Sequence, residues 1–302
     1  MVLSPAGVLT RGLQYLHLDY IQQSEANRNE KFHQHYGSSP LVLATMWHDM
    51  AVTTIVAARV SDEELCEKGF RMFLIAHFFL WVYPKNAGLI ASRFRICISY
   101  SKGERLWLWI QKIAALKELK IRWDPRLNLA DAAVFVATVD GIDHRAWERK
   151  NPTLNQDPGN CSQKFNHCAF KYEVGLHPYT SNCLWINGPF RGGEHDLTMM
   201  RAGRLFELVV AGKKVIADRG YRTGVPEERA KLSLPSEFDS AALNNFKSRA
   251  RLRHETFNGR LKKYASLSET FRHGFAKHKF VFEAVAVCVQ YHMENGSLLY
   301  DA

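Results

Sequence analysis

Apolar residues recur every three or four positions through most of the first 124 residues, which predicts a helical front part. Ser38-Ser39-Pro40 is a helix start, with Pro where a missing N–H costs nothing, and the pattern carries a helix over Leu41–Ala58. Arg71–Tyr83 reads as a second, strongly apolar helix that Pro84 ends. A short helix over Asn86–Phe94, a loop through Ile98 and a longer helix over Ser101–Leu119 follow, with Ser101 as its cap. In that last helix Leu106, Trp109, Ile110, Ile113 and Leu116 share one face. This is a helix-turn-helix outline, with Arg93, Arg95, Lys102 and Arg105 available to phosphates, and a plain helical bundle accounts for the same pattern equally well.

Past Pro125 the period shortens. Ala132–Val139 is a near-continuous apolar, β-branched run, as expected of a strand buried on both faces. Phe165–Gly175 and Asn182–Asn187 alternate, and the Gly/Pro-rich stretch Asn187–Gly193 closes them. Asp196 is placed to cap a helix running to about Val210, and Lys214–Ala217 reads as another short strand. Ala241–Tyr264 and Phe280–Met293 read as helices, the second with Glu283 and Gln290 interrupting an apolar face. The expected organisation is a helical, helix-turn-helix-like DNA-binding region over 1–124 and an α/β domain over 125–302.

Three acids fall at informative places. Asp140 follows the buried strand, Asp218 follows the second short one, and Glu255 lies mid-way along the long helix. Taken singly each has a plain explanation, since Asp-Gly after a strand is usually a turn and a helical Glu is usually solvated. On the helical wheel Arg251, Asn258 and Lys262 share an edge with Glu255, while Leu243, Phe246, Ala250, Phe257, Leu261 and Tyr264 form a separate apolar stripe. Glu255 is the only acid among seven Lys or Arg between Lys247 and Lys263, so it is either an ion-pair partner of Arg251 or a metal ligand on a DNA-binding surface. Two strand-end aspartates and a helical glutamate are the hard oxygen donors that two-metal phosphoryl transfer with Mg²⁺ or Mn²⁺ requires.

Composition sharpens this reading. The 302 residues are 46% hydrophobic, enough for a sizeable core, and a net charge of +10 favours polyanionic partners. The most apolar stretch, Phe73–Tyr83, is too short to span a membrane, and Arg11 interrupts the N-terminal lead before it resembles a signal peptide. Six scattered cysteines without a CxxC pair read as reduced thiols of an intracellular chain. Cys161, His167, Cys168, His177 and Cys183 fit no closed zinc site. A Cys or Ser hydrolase finds little support, because His144, His195 and His254 have no nucleophile motif nearby.

The order Asp140…Asp218-Arg-Gly-Tyr…Arg251-x3-Glu255-x6-Lys262 resembles the catalytic domain of DDE transposases, specifically the Harbinger (PIF) type and its bacterial insertion-sequence relatives. Gly192-Gly193-Glu194-His195-Asp196 is similar to the family's Gly-x-x-His-Asp motif, and His254–Lys262 to its third-acid helix. The likeness is strong from Val134 onward and weaker before it. Relatives often carry Tyr three residues before the Arg, where this chain has Ser248, and Asp143 is a rival to Asp140.

The resemblance implies a ribonuclease-H-like core and a metal-dependent DNA endonuclease or transposase. Asp140, Asp218 and Glu255 would be its catalytic residues and would bind the divalent ion. Arg251, Lys262 and Asn258, with Arg105 and Lys102 in the front helices, would contact DNA, and His195 and Asp196 would support the site. It also implies double-stranded DNA as partner, a separate Myb-like DNA-binding protein and a nuclear setting, and it leaves room for a homo-oligomer. The competing class is a domesticated descendant that binds DNA or protein without cutting.

Overall fold

The computed structural model describes residues 2–19, 24–52, 65–97, 100–147, 158–162, 164 and 166–300. The chain divides into two compact units. The first comprises Met1–Lys120, Lys262–Glu269 and Phe280–Asn295; the second comprises Ile121–Leu261, Thr270–Lys279 and Gly296–Ala302.

The first unit is helical among its described residues: α1 Pro5–Tyr15, α2 Glu25–Tyr36, α3 Pro40–Val52, α4 Glu67–Val82, α5 Ala87–Phe94, α6 Tyr100–Ala115 and α7 Lys117–Lys120. The expected continuation of α3 to Ala58 lies outside the described residues. Local chemistry explains the boundaries. Ser4, Ser24, Ser39 and Asn86 each accept a backbone N–H of the first turn that follows. Gly37 ends α2 at φ +67°, where a Cβ would lie 2.2 Å from the Trp81 ring. Ser101 sits inside α6 rather than capping it, because the helix starts one residue earlier at Tyr100.

The stripe Leu106, Trp109, Ile110, Ile113 and Leu116 is buried as the spacing predicts. Trp47 stacks on Trp109 at 5.8 Å and meets Phe70 and Phe73, so aromatic packing dominates this core. The later segments belong to it through α12, Ala265–Ser268, and most of α13, Phe275–Glu294. Glu283, which breaks the apolar face of α13, accepts a 2.6 Å ion pair from Lys117. No helix among the described residues is long and apolar enough to cross a membrane.

The second unit is mixed α/β. Its strands are β1 Phe135–Arg145, β2 Cys161–Ser162, β3 His167–Leu176, β4 Cys183–Arg191, β5 Lys214–Ile216 and β6 Leu232–Ser233. They form one mixed sheet in the order β2-β3-β1-β5-β6, with β4 also on β3. The pairs β1–β3 and β3–β4 are antiparallel, whereas β1–β5 and β5–β6 are parallel. Helices α8 Asp196–Ala202, α9 Leu205–Leu208, α10 Pro226–Ala230 and α11 Ala241–Leu261 complete the unit. Val136, Val139, Leu184, Met200, Val215, Ala217 and Tyr221 are among the buried residues of its core.

Two expectations are corrected. β1 does not stop at Val139 but runs to Arg145, because Gly141–Arg145 keep pairing with β3, so Asp140 lies inside a strand and not on a turn. β4 likewise continues through the Gly/Pro stretch to Arg191. Cys161 and Cys168 face each other across β2–β3, and all six cysteines are free thiols.

A candidate acidic centre on neighbouring strands

In the parallel ladder Thr138 pairs with Ile216, and two residues beyond each comes an aspartate, Asp140 and Asp218. Equal offsets from a paired position bring both carboxylates to the same level of adjacent strands. Asp218 follows β5 and caps the turn Arg219–Tyr221, its Oδ1 accepting the Gly220 N–H at 2.8 Å. Burial, then the neighbouring Asp218, pushes the Asp140 carboxyl up to about 6, while the Gly141 N–H and Lys164 partly oppose the shift.

Two cavities share these aspartates as a common wall. One, of about 340 Å³, is completed by Val139, Ser248, Arg251, Leu252 and Glu255. α11 therefore brings the third predicted acid to the same opening as the first two. Glu255 and Arg251 are both exposed there. Asn258 is half-buried on the same helix. Lys262 belongs to the first compact unit. Arg105 is exposed on α6 beside Cys66 and Trp109, and the Lys102 side chain lies outside the described residues. Among the described residues, no three His, Cys, Asp or Glu side chains stand close enough to hold one metal ion as they are placed.

The other cavity, of about 390 Å³, has Asp143, Lys164, Lys171, Glu194, His195 and Asp196 on its walls. Here the structure reassigns two roles. His195, not Asp196, caps α8, its Nδ1 accepting the Leu197 N–H. Asp196 instead makes a 2.7 Å ion pair with Lys171. Asp143, the rival to Asp140, is largely buried, and its Oδ2 accepts the Ser162 hydroxyl.

No protein-family model, no curated protein and no solved structure matches the chain.

Several polar groups around this centre give no signal in the sequence. Glu173 on β3 is fully buried opposite Gly141, and its Oε2 accepts the Asn187 amide at 2.8 Å. The same amide nitrogen donates to the Met199 carbonyl of α8. Burial raises the Glu173 carboxyl to about 8, Asn187 and Tyr221 opposing. Neither its Oε1 nor the nearby Tyr221 hydroxyl makes a hydrogen bond of good geometry. On α11 the buried polar residues are Lys247, Arg253 and His254. Lys247 reaches Asp239 and the Leu234 carbonyl, and Arg253 donates to the Tyr300, His177 and Thr180 carbonyls. His254 meets Thr138 on β1. A basic helix read as a phosphate-facing surface thus spends three of its polar residues inside the protein.

Proposed function

We propose that this chain is a divalent-metal-dependent DNA endonuclease of the DDE transposase type, built on a ribonuclease-H-like core in its second unit. One observation carries the reading: Asp140 in β1 and Asp218 just after β5 each lie two residues beyond the parallel pair Thr138–Ile216, and α11, packed on β1, brings Glu255 to the cavity they share. The mixed sheet order and the +10 charge support the same reading.

The donor set fits Mg²⁺ or Mn²⁺. Such ions take hard oxygen ligands and are commonly held by one or two carboxylates, with water and substrate phosphate filling the other positions. The raised Asp140 carboxyl reflects burial beside a second acid, a repulsion that a bound cation relieves. When bound, the ion polarises a phosphodiester and lowers the pKa of water.

Asp140 and Asp218 would hold the ion, with Glu255 facing it from α11. Arg251, exposed on the same cavity, would take a non-bridging phosphate oxygen, and Asn258 further along the helix would hydrogen-bond the backbone. Lys262 and Arg105 would add phosphate contacts. His195, as the α8 cap, would keep Asp196 in place. The nuclear setting, a Myb-like partner protein and assembly with further copies follow from the same family reading.

The test is nicking of supercoiled DNA in Mg²⁺ or Mn²⁺, wild type beside Asp218→Asn. Loss of nicking in the variant supports the reading. Equal traces in both, with DNA still bound, support a domesticated, non-cleaving descendant instead.

A further inference from the structure

The acidic centre contains a positive charge of its own. Asp196 lies against the bare faces of two glycines of the cleft. A Cβ on Gly141 would lie 3.3 Å from Asp196 Oδ1, and a Cβ on Gly220 would lie 2.6 Å from Asp196 Oδ2. The Gly220 position is also 3.0 Å from Asp218 Oδ1. Gly141 follows Asp140 and Gly220 lies two beyond Asp218, so Asp196 sits between the backbones that carry the two acids.

Lys171 accompanies it. Its Cε passes 3.5 Å from the Gly141 Cβ position, and its ammonium donates to Asp196 Oδ1 at 2.7 Å and to the Glu194 carbonyl at 3.0 Å. The Lys171 side chain is only 16% exposed. Among the described residues, the cavity wall holds Asp140, Asp143, Glu194, Asp196 and Asp218 against two lysines, and the other, Lys164, is exposed and lowers the Asp140 carboxyl. Asp196 also adds to the charge that raises the Asp140 carboxyl.

We propose that Lys171 is the resident counter-cation of the Asp140–Asp218 cleft and sets how strongly the cleft takes up a divalent cation. The inference rests on the function proposed above. With no metal bound, the ammonium offsets the charge of Asp196 and so the repulsion that Asp196 adds at Asp140. An incoming divalent cation is attracted by the same carboxylates and repelled by the ammonium, so the two positive charges oppose one another across a partly dry site. An ion pair that merely fastened α8 to β3 would have no such effect on metal uptake.

Mn²⁺ titration of the full chain, followed by the electron-spin signal of free Mn²⁺ and by melting temperature, separates the cases. Lys171→Met should melt lower than wild type without metal, bind Mn²⁺ about tenfold tighter, roughly 1.4 kcal/mol, and recover most of its melting temperature when loaded. Lys171→Arg keeps the charge and should bind as wild type does. Asp196→Asn should bind several-fold more weakly. If Lys171→Met does not fold, Lys171→Gln is read in its place. Unchanged or weaker Mn²⁺ binding on loss of the charge, with equal destabilisation in both states, overturns the inference while leaving the endonuclease reading standing. A wild type that takes up no Mn²⁺ overturns both, and only the second failure touches the proposed function.

Discussion

Thr138 and His254 meet through a 2.6 Å hydrogen bond between Oγ1 and Nε2, buried on both sides. Thr138 stands two residues before Asp140, and His254 stands next to Glu255, so this bond sets the helix acid against the strand acid. The Thr138 hydroxyl also reaches the Leu176 carbonyl at 3.4 Å. If it donates there, His254 donates from Nε2 and leaves Nδ1 as the atom without a partner. Thr138→Val keeps the shape and orphans the imidazole, so it should cost about 1–3 kcal/mol in denaturant unfolding. Nicking should fall further than stability alone explains, because Glu255 loses its reference to Asp140. A variant with wild-type stability and activity would remove this bond from the account.

Metal should stabilise the fold. At a hundredfold excess over its dissociation constant a ligand adds about 2.7 kcal/mol, or roughly 4 °C for a chain of this size. Millimolar Mg²⁺ or Mn²⁺ should therefore raise the melting temperature at neutral pH. Asp218→Asn should reduce that rise, because it removes one of the paired carboxylates. A melting curve indifferent to metal in the wild type would mark the acids as structural.

Glu173 predicts the pH dependence. Its carboxyl is raised from 4.5 to about 8 in the folded chain, so the native state holds a proton there that the unfolded state has released. Stability from this group is full below pH 4.5 and is lost as pH rises towards 8, at up to about 1.4 kcal/mol per pH unit. Asp196, Lys171 and Tyr221 act on the same carboxyl and belong in the fit. Glu173→Gln should flatten the neutral-to-alkaline part of the curve. The neutral, buried His278, bonded to the Tyr172 hydroxyl, acts in the other direction: its depressed pKa means stability is lost as pH falls below 6.5. Unfolding free energies across a range of about pH 4–9 for both proteins check the signs.

DNA binding and cutting should separate by residue. Arg251→Ala and Lys262→Ala should each lower the salt dependence of binding by about 0.9 for every phosphate that is no longer neutralised, equally for all sequences. Glu255→Gln removes a negative charge from the cavity that Arg251 also lines, so binding should hold or tighten while nicking disappears. Weaker binding by Glu255→Gln would mark Glu255 as part of the DNA-contacting framework rather than the chemistry.

Much of the front unit is legible in its sequence because helix ends are local events: Ser, Asn, Gly and Pro act on neighbours within four residues, and the stripe from Leu106 to Leu116 repeats at helical spacing. The acids are legible because Asp140 and Asp218 each follow an apolar run and Glu255 stands alone among basic residues. The strand boundary at Asp140 is not, because Asp-Gly has turn chemistry and only the pairing of Gly141–Arg145 with β3 keeps the chain extended. The buried polar residues are hidden for a different reason. Arg253 binds carbonyls up to 76 positions away, and Glu173 depends on Asn187 and Tyr221, partners that no periodicity records. Asp196 reads as a cap because caps are common at that position, but His195 takes the role and releases Asp196 to Lys171.

The bare faces of Gly141 and Gly220 add two positions on which the proposed centre depends. A side chain at position 220 would put its Cβ 2.6 Å from Asp196 Oδ2 and 3.0 Å from Asp218 Oδ1, so a carboxylate would have to shift. On the proposed reading, a chain could keep Asp140, Asp218 and Glu255 unaltered and still lose their arrangement. Under the proposed function, the three acids alone are a poorer mark of activity than the acids together with these two empty positions.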